Sequence, residues 1–265
     1  MRGSSGNAAE EAVKMYKEFE TKTSYKYLKE VICALDEPIC ILGGWAVMLT
    51  VNKAFQSAIG KPYLGSRDID LGFNVGSGKY ALADAIKILG KLRFRELSFR
   101  MFKEVHTETE EEISEGQKIP AHFIFPMYVD LIVDEIPAGF RKEFGFQPID
   151  EPLLKHVFEG RYANVTLFGR KVMLPTTELL IAMKIKSLPS RDKEHKKIKD
   201  ICDIFALLWY GNAGRDNVKR EVLRYVSAKD MKKCISSVTK SEMEKAGLQL
   251  GHTILDIERV LGLLG

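Results

Sequence analysis

The chain has 265 residues, of which 45% are hydrophobic and 29% charged, and its formal net charge is +4. This composition is ordinary for a globular protein and allows one large domain or two small ones. No apolar run is long enough to span a bilayer, and no cationic and apolar leader opens the chain, so neither a membrane protein nor a secreted precursor is expected. Four cysteines without a CxxC pair predict a reducing cytoplasm, and five scattered histidines argue against a zinc site.

The first predicted elements are a helix over residues 8–35 and a short buried strand over residues 39–42. Gly43 and Gly44 interrupt the strand, and a helix resumes at Trp45. Glycines let a ligand approach the backbone closely, and the start of a helix offers free N–H groups and a positive dipole end. The glycine turn therefore predicts a phosphate site.

Two aspartates, Asp68 and Asp70, open the next predicted strand, over residues 68–75. Side chains two residues apart on a strand point to the same side, so these carboxylates would lie side by side and repel each other. Bound cations would turn that repulsion into shared coordination, because Mg²⁺ prefers carboxylate and phosphate oxygens. Alone, such a pair is more commonly a solvated strand end, but together with the glycine turn and a later aspartate on a strand it predicts a metal site.

A third acidic candidate lies on a strand over residues 121–136, which is rich in branched and aromatic residues. Pro126 predicts that part of this strand is an edge or carries a bulge. Asp130 is favoured over Asp134 as the functional residue, because apolar neighbours surround Asp130 and a carboxylate there needs a reason. Asp134 precedes a glutamate near the strand end and is expected to be solvated.

After Pro175 the pattern changes from strands to helices, and the first of these helices opens with a threonine cap and a glutamate in its first turn. We therefore predict an α+β protein with an N-terminal helical segment (1–37), a mixed-sheet α/β domain (38–175) and a helical domain (176–265). The remaining predicted elements before residue 176 are a helix over 79–92, an acidic loop over 106–118 and a hairpin around Gly169-Arg170. The later predicted helices are one that ends at Gly211, one over 216–227 and one over 241–262.

In this order, the segments LGGWAVML, SRDIDLGF and VDLIVD resemble the DNA polymerase β-type nucleotidyltransferase superfamily. The segments PTTELLIAMKIKSLPSR and KIKDICDIFALL are similar to its AbiEii-like branch, which includes the nucleotidyltransferase toxins of bacterial and archaeal toxin–antitoxin pairs. The resemblance covers roughly residues 38–210, and it rests on the order of the elements as much as on the motifs.

The resemblance implies a polymerase β-like nucleotidyltransferase domain that moves an NMP from an NTP to an acceptor hydroxyl and releases pyrophosphate. It implies that Asp68, Asp70 and Asp130 are catalytic and hold two Mg²⁺ or Mn²⁺ ions, and that Asp130 helps to deprotonate the acceptor. The nucleotide-binding residues that it implies are Gly43, Gly44, Ser66 and Lys184.

Several positions leave alternatives open. Leu64 stands where many members of the branch carry a basic residue, and Arg67, beside the first aspartate, should point away from the aspartate face. Lys184 interrupts an apolar helix and is either a nucleotide contact or a lysine that snorkels to water. Asp200 and Asp203 are either substrate contacts or, more commonly for such residues, partners of lysines on their own helix.

The acceptor and the partners also stay open. The resemblance is compatible with an RNA acceptor such as tRNA or with a protein acceptor, and it implies an antitoxin partner and no membrane. A small-molecule transferase, such as one that modifies an antibiotic, is the rival enzyme. A relative that binds nucleotide or RNA without turnover is the non-enzymatic alternative.

Overall fold

The computed structural model describes residues 15–136, 138–211 and 217–265. Within these residues, helices pack against a mixed sheet of eight strands, which confirms the predicted α+β fold class. No helix in these ranges is both long enough and apolar enough to cross a bilayer. The first seven residues of the helix predicted over 8–35 lie outside the described residues.

The strands are β1 (Ile39–Ile41), β2 (Ile69–Phe73), β3 (Arg95–Leu97), β4 (Arg100–His106), β5 (Ile124–Val133), β6 (Ile149–Asp150), β7 (Tyr162–Leu167) and β8 (Arg170–Pro175). The helices are α1 (Glu18–Ala34), α2 (Gly43–Ile59), α3 (Val75–Lys91), α4 (Phe140–Phe144), α5 (Leu154–Phe158), α6 (Thr177–Ser187), α7 (Glu194–Tyr210), α8 (Val218–Val222), α9 (Ala228–Ser236), α10 (Lys240–Leu250) and α11 (Ile254–Leu261).

The strand order is β3-β4-β5-β2-β1-β8-β7, and β6 pairs with β5. β2 runs parallel to β5 and antiparallel to β1, whereas β5 runs antiparallel to β4. Helix α2, which follows β1, packs on β2 and also on α6 and α7 from the second half of the chain. The start of α2 therefore lies where the sheet meets the later helices.

Pro126 lies on β5 opposite Glu104 of β4, and β2 joins the other side of β5 only from Val129 onward. A proline cannot donate to a strand ladder, so it is tolerated where one side of the strand has no neighbour. The predicted local edge at Pro126 is confirmed.

The hairpin β7–β8 turns through Phe168 and Gly169, whose φ angles are +53° and +78°. Two consecutive positive φ angles are typical of the two-residue turns that match the twist of a hairpin. The predicted turn, Gly169-Arg170, is therefore one residue too late, because Arg170 already pairs with Leu167.

The change from strands to helices falls at Thr176, the residue before α6, and α7 ends before Gly211, both as predicted. The single helix predicted over 241–262 is wrong. Gly251, with a φ of +74°, ends α10, and Thr253 starts α11 by accepting a hydrogen bond from the Asp256 N–H. The division into three domains stays a prediction.

Candidate active site

The turn between β1 and α2 brings the backbone against Asp70. The Leu42 N–H donates to the Asp70 carbonyl oxygen at 2.9 Å, and α2 begins at Gly43, two residues earlier than predicted. Gly43 has a φ of +59°, and a Cβ at this position would stand 1.8 Å from Asp70 Oδ2. Only glycine therefore lets this carboxylate lie against the first turn of a helix, where the backbone favours negative charge.

The next position, Gly44, faces a hydroxyl and an ammonium. A Cβ on Gly44 would stand 3.0 Å from Ser66 Oγ and 3.5 Å from Lys199 Nζ. Both side chains are buried. The first turn of α2 is thus surrounded by hydrogen-bond donors that suit an anion, and Lys199 was not predicted as a site residue.

Asp70 and Asp130 lie directly opposite each other on the parallel strands β2 and β5. Arg100 lies opposite Asp130 on β4, and its Nη2 donates to Asp130 Oδ2 at 2.8 Å. Residues paired in this way on neighbouring strands project from the same face of the sheet. Three strands therefore present one arginine and two aspartates in a row.

Asp130 is buried, and its Oδ1 has no hydrogen-bond partner among the described residues. Burial, followed by the charge of Asp70, raises the pKa of Asp130 to about 8, although Arg100 acts in the opposite direction. A buried carboxylate oxygen without a partner is costly, because it has lost its hydration. Asp130 therefore favours a proton or a cation at this place.

Asp70 and Asp68 complete what we call the carboxylate edge, defined as Asp68, Asp70 and Asp130. Burial raises the pKa of Asp70, and the charge of Asp68 adds to that effect. Asp68 lies just before β2 and is partly exposed, with Lys196 Nζ 3.6 Å from its Oδ2. The charges of the carboxylate edge thus oppose one another, as the sequence predicted for Asp68 and Asp70.

The carboxylate edge would bind a divalent cation together with oxygen atoms of the substrate. Within residues 15–136, 138–211 and 217–265, no three His, Cys, Asp or Glu side chains form a group that could hold a metal ion. The cage of three side chains expected from the sequence is therefore not assembled by the protein alone. Mg²⁺ commonly binds through one or two carboxylates together with substrate phosphates, and the unpartnered Oδ1 of Asp130 fits such a ligand set.

A second group of charges lies on α6, on α7 and just before α7, and we call it the ionic cluster: Lys184, Arg191, Lys199, Asp200 and Asp203. Lys184 Nζ lies 2.6 Å from Asp200 Oδ1 and 2.7 Å from Asp203 Oδ2. Arg191 Nε donates to the other oxygen of Asp200 at 2.6 Å, and Lys199 pairs with Asp203 on its own helix. The cluster joins α6 to α7.

Pairing within the ionic cluster favours the ionised forms of Lys184 and Asp200. Burial opposes ionisation of Asp200, but the charges of Lys184 and Arg191 lower its pKa overall. Burial likewise opposes the charge of Lys184, yet Asp200 and Asp203 raise its pKa. Lys184 therefore does not snorkel. The intrahelical pairing predicted for Asp203 is confirmed by Lys199, whereas Asp200 is paired with residues outside its helix.

Two further predictions concern neighbours of the aspartates. Arg67 lies 3.4 Å from Glu20 and packs over the ring of Phe125 at 5.3 Å, so it turns away from the carboxylate edge as expected. Asp134 is not simply solvated, because its Oδ1 accepts a hydrogen bond from the Val75 N–H at the start of α3, at 2.9 Å. Asp134 thus has a structural partner.

One cavity of about 410 Å³ collects all seven predicted site residues. Its wall includes the carboxylate edge together with Gly43, Gly44, Ser66 and Lys184. Residues that the sequence did not assign to the site also line it: Tyr16, Arg100, Lys196 and Lys199. The volume lies within the usual range of small-molecule sites.

Comparison with known proteins gives one structural neighbour to report. No protein-family model matches the chain, and no curated protein matches it in sequence. Among solved structures, the chain is similar to an antigenic nucleotidyltransferase-like protein from Paracoccidioides brasiliensis, with a TM-score of 0.43 and 16% sequence identity. The match covers 89% of this chain and 93% of the other.

Proposed function

We propose that the chain is a metal-dependent nucleotidyltransferase that moves an NMP from an NTP to an acceptor hydroxyl. The observation that carries the proposal is the pairing of Asp70 with Asp130 on adjacent parallel strands, beside a glycine-initiated helix. Burial raises the pKa of both carboxylates, the charge of Asp70 adds to the effect on Asp130, and one oxygen of Asp130 has no partner among the described residues. Such an edge favours cations next to a site that favours phosphates.

The nucleotide would bind with its phosphates at the first turn of α2. Gly43 and Gly44 leave room for phosphate oxygens near the backbone, and Ser66 would donate its hydroxyl to them. Lys199 would add a positive charge there, and Lys184 would act from α6 while it remains paired with Asp200 and Asp203. These charges favour a triphosphate over a neutral ligand.

In the reaction, the acceptor oxygen would bond to the α-phosphorus, the bond to pyrophosphate would break and pyrophosphate would leave. Mg²⁺ or Mn²⁺ bound at Asp68, Asp70 and Asp130, with two ions as the resemblance implies, would neutralise the carboxylates and lower the pKa of the acceptor hydroxyl. Asp130 would help to take the acceptor proton, as the resemblance implies. Arg100 would orient Asp130.

The finer assignment within this class rests on the resemblance of the helical half to the AbiEii-like branch. In this assignment, the protein transfers the NMP to RNA or to a protein, acts as a toxin with an antitoxin partner and is located in the cytoplasm. It also has three separate domains, at 1–37, 38–175 and 176–265. The cleft between the sheet and the later helices would then be the active site.

The test is a transfer assay with each labelled NTP, Mg²⁺ and pools of RNA, protein or small molecules. We expect one pool to take label, and Asp70→Asn and Asp130→Asn each to lower the transfer rate by about 10²-fold or more, as for loss of a catalytic base or metal ligand. Asp134→Asn is the matched control, because Asp134 is four residues from Asp130 but bonds α3.

Transfer that survives both substitutions would overturn the three-carboxylate mechanism. Label in the small-molecule pool alone would favour the antibiotic-type enzyme. Binding of NTP without label in any pool would favour the relative without turnover.

A further inference from the structure

Tyr16 enters the candidate active site from a part of the chain that the family resemblance does not cover. It lies two residues before α1, whereas the resemblance begins near residue 38. Its side chain lines the same cavity as Asp68, Gly44 and Lys184. The N-terminal segment therefore contributes a phenol to a site built otherwise from the start of α2, from strands β2, β4, β5 and β6 and from helices α6 and α7.

Two neighbours hold the ring of Tyr16. The Arg67 guanidinium lies 6.0 Å from the ring centroid, and the ring of His195 meets it edge-on at 6.4 Å. Arg67 is itself paired with Glu20 of α1 at 3.4 Å. The ring thus has one neighbour just before β2 and one in the first turn of α7.

Both charged groups of the site act electrostatically on the Tyr16 hydroxyl. Besides burial, the charges that act on the pKa of Tyr16 come from Asp68 of the carboxylate edge and from Asp203, Lys184 and Asp200 of the ionic cluster. A negative charge on Tyr16 would in turn raise the pKa of Arg191. Lys184 and the start of α2, where the proposed phosphates would bind, line the same cavity as Tyr16.

No side chain or backbone group in residues 15–136, 138–211 and 217–265 forms a hydrogen bond with the Tyr16 hydroxyl. The phenol is a donor, and its raised pKa keeps it protonated. The basic residues Arg100, Lys184, Arg191, Lys196 and Lys199 line the same cavity together with as many carboxylates, so a phosphate would enter with the divalent cation that offsets those carboxylates. An anion that enters would find a donor ready in Tyr16.

We propose that Tyr16 is a nucleotide-binding residue whose hydroxyl donates a hydrogen bond to the phosphates of the NTP. This inference rests on the proposed function and names a contact within it. The ring is less suited to stack on a base, because Arg67 and His195 already contact it. The N-terminal segment would thereby form one wall of the nucleotide site.

The test is calorimetry on the full chain with two probes, each in the presence of Mg²⁺: the four NTPs and inorganic tripolyphosphate. Tyr16→Phe removes only the hydroxyl, and we expect it to weaken binding of both probes by about 3- to 10-fold, the range for one neutral hydrogen bond. The control is Tyr25→Phe on α1, whose ring packs against Trp45 and Phe168 and does not line the cavity. It should bind both probes as the wild type does.

Three outcomes would overturn the inference while leaving the proposed function in place. If Tyr16→Phe binds both probes as tightly as the wild type or more tightly, the hydroxyl makes no favourable contact with the phosphates. Weaker binding of NTP with unchanged binding of tripolyphosphate would make it a contact of the nucleoside. Wild-type protein that gains the mass of one NMP on Tyr16 would make the residue an acceptor. If the wild type binds neither probe, the proposed function fails together with the inference.

Discussion

The carboxylate edge and the ionic cluster face the same cavity, but buried negative charge is neutralised by basic side chains in the cluster and only partly so in the edge. In the ionic cluster, Lys184, Arg191 and Lys199 neutralise Asp200 and Asp203 at short distances. In the carboxylate edge, Arg100 pairs closely with Asp130 alone, and Lys196 lies at a longer distance from Asp68. The first arrangement is complete without a ligand, and the second is not.

This difference separates a scaffold from a site. Charges buried in matched pairs keep their ionised forms, and the pKa of Asp200 is lowered accordingly. Like charges buried together resist ionisation, and the pKa values of Asp70 and Asp130 are raised. An arrangement that opposes its own ionisation is a candidate for function, because added cations relieve it.

The largest expected effect would come from breaking the ionic cluster. Asp203 is fully buried and contacts Lys184, Lys199 and the Tyr63 hydroxyl, the last at 2.8 Å. Asp203→Ala would leave buried ammonium groups without full compensation, so we expect the free energy of unfolding to fall by about 3–5 kcal/mol. Chemical denaturation measures this change.

The control for that experiment is Asp192→Ala, which removes an exposed aspartate between Arg191 and the start of α7. It should unfold like the wild type, within about 0.5 kcal/mol. Unchanged stability of Asp203→Ala would mean that the ionic cluster is not the scaffold described here.

The parts of this comparison that the sequence predicted are those with local signals. The glycine turn, the Asp68-Ile69-Asp70 segment and Asp130 on an apolar strand are each readable from neighbouring residues, and the structure brings them into one cavity. The helix break at Gly251 also has a local signal, a glycine followed by a capping threonine, which the helical periodicity obscured.

The missed parts depend on pairing across the fold. Arg100 is 30 residues from Asp130 in the chain, and only the register of β4 against β5 brings them together. The partners of Lys184 depend on how α6 packs against α7. Tyr16 reaches the cavity because Arg67 and His195 hold its ring, contacts that no local pattern of the sequence predicts.

The next largest expected effect is a dependence of the free energy of unfolding on pH, which comes from Asp130. Its pKa is raised to about 8 in the folded chain, against an ordinary value near 4, so between these values the folded state holds a proton that the unfolded state has lost. The contribution of Asp130 to stability should therefore be greatest below about pH 4 and fall by up to about 1.4 kcal/mol per pH unit as the pH rises from about 4 to about 8, with no further loss above that value.

Denaturation at several pH values from 5 to 9 measures that slope in the metal-free protein. Asp130→Asn cannot ionise at this position and should flatten the slope, whereas Asp192→Ala should keep it. Mg²⁺ must displace the proton, so its effect on the melting temperature should be larger at pH 8 than at pH 6. An identical slope in Asp130→Asn and wild type would assign the titration to another group.

A smaller gain in stability is expected from Asp70→Asn. The amide has the shape of the carboxylate, so it fits against Gly43, but it removes one charge from the repulsion with Asp68 and Asp130. We expect the free energy of unfolding at pH 8 without metal to rise by about 0.5–2 kcal/mol, as when a strained functional site is relaxed. A loss of stability would show that Asp70 is already compensated within the protein.

The smallest effect is expected from Asp134→Asn, which compares two aspartates on one segment. Asp134 Oδ1 accepts from the Val75 N–H at the start of α3, whereas Asp130 faces the cavity. An asparagine oxygen can still accept that hydrogen bond but carries no charge toward the helix dipole, so we expect a loss of about 0.3–1 kcal/mol. The transfer rate should stay near that of the wild type, because Asp134 does not line the cavity. Thermal melting and the transfer assay check the two halves of this prediction. A variant that is stable but inactive would assign to Asp134 the role proposed for Asp130, and Asp134 would then replace Asp130 in the carboxylate edge.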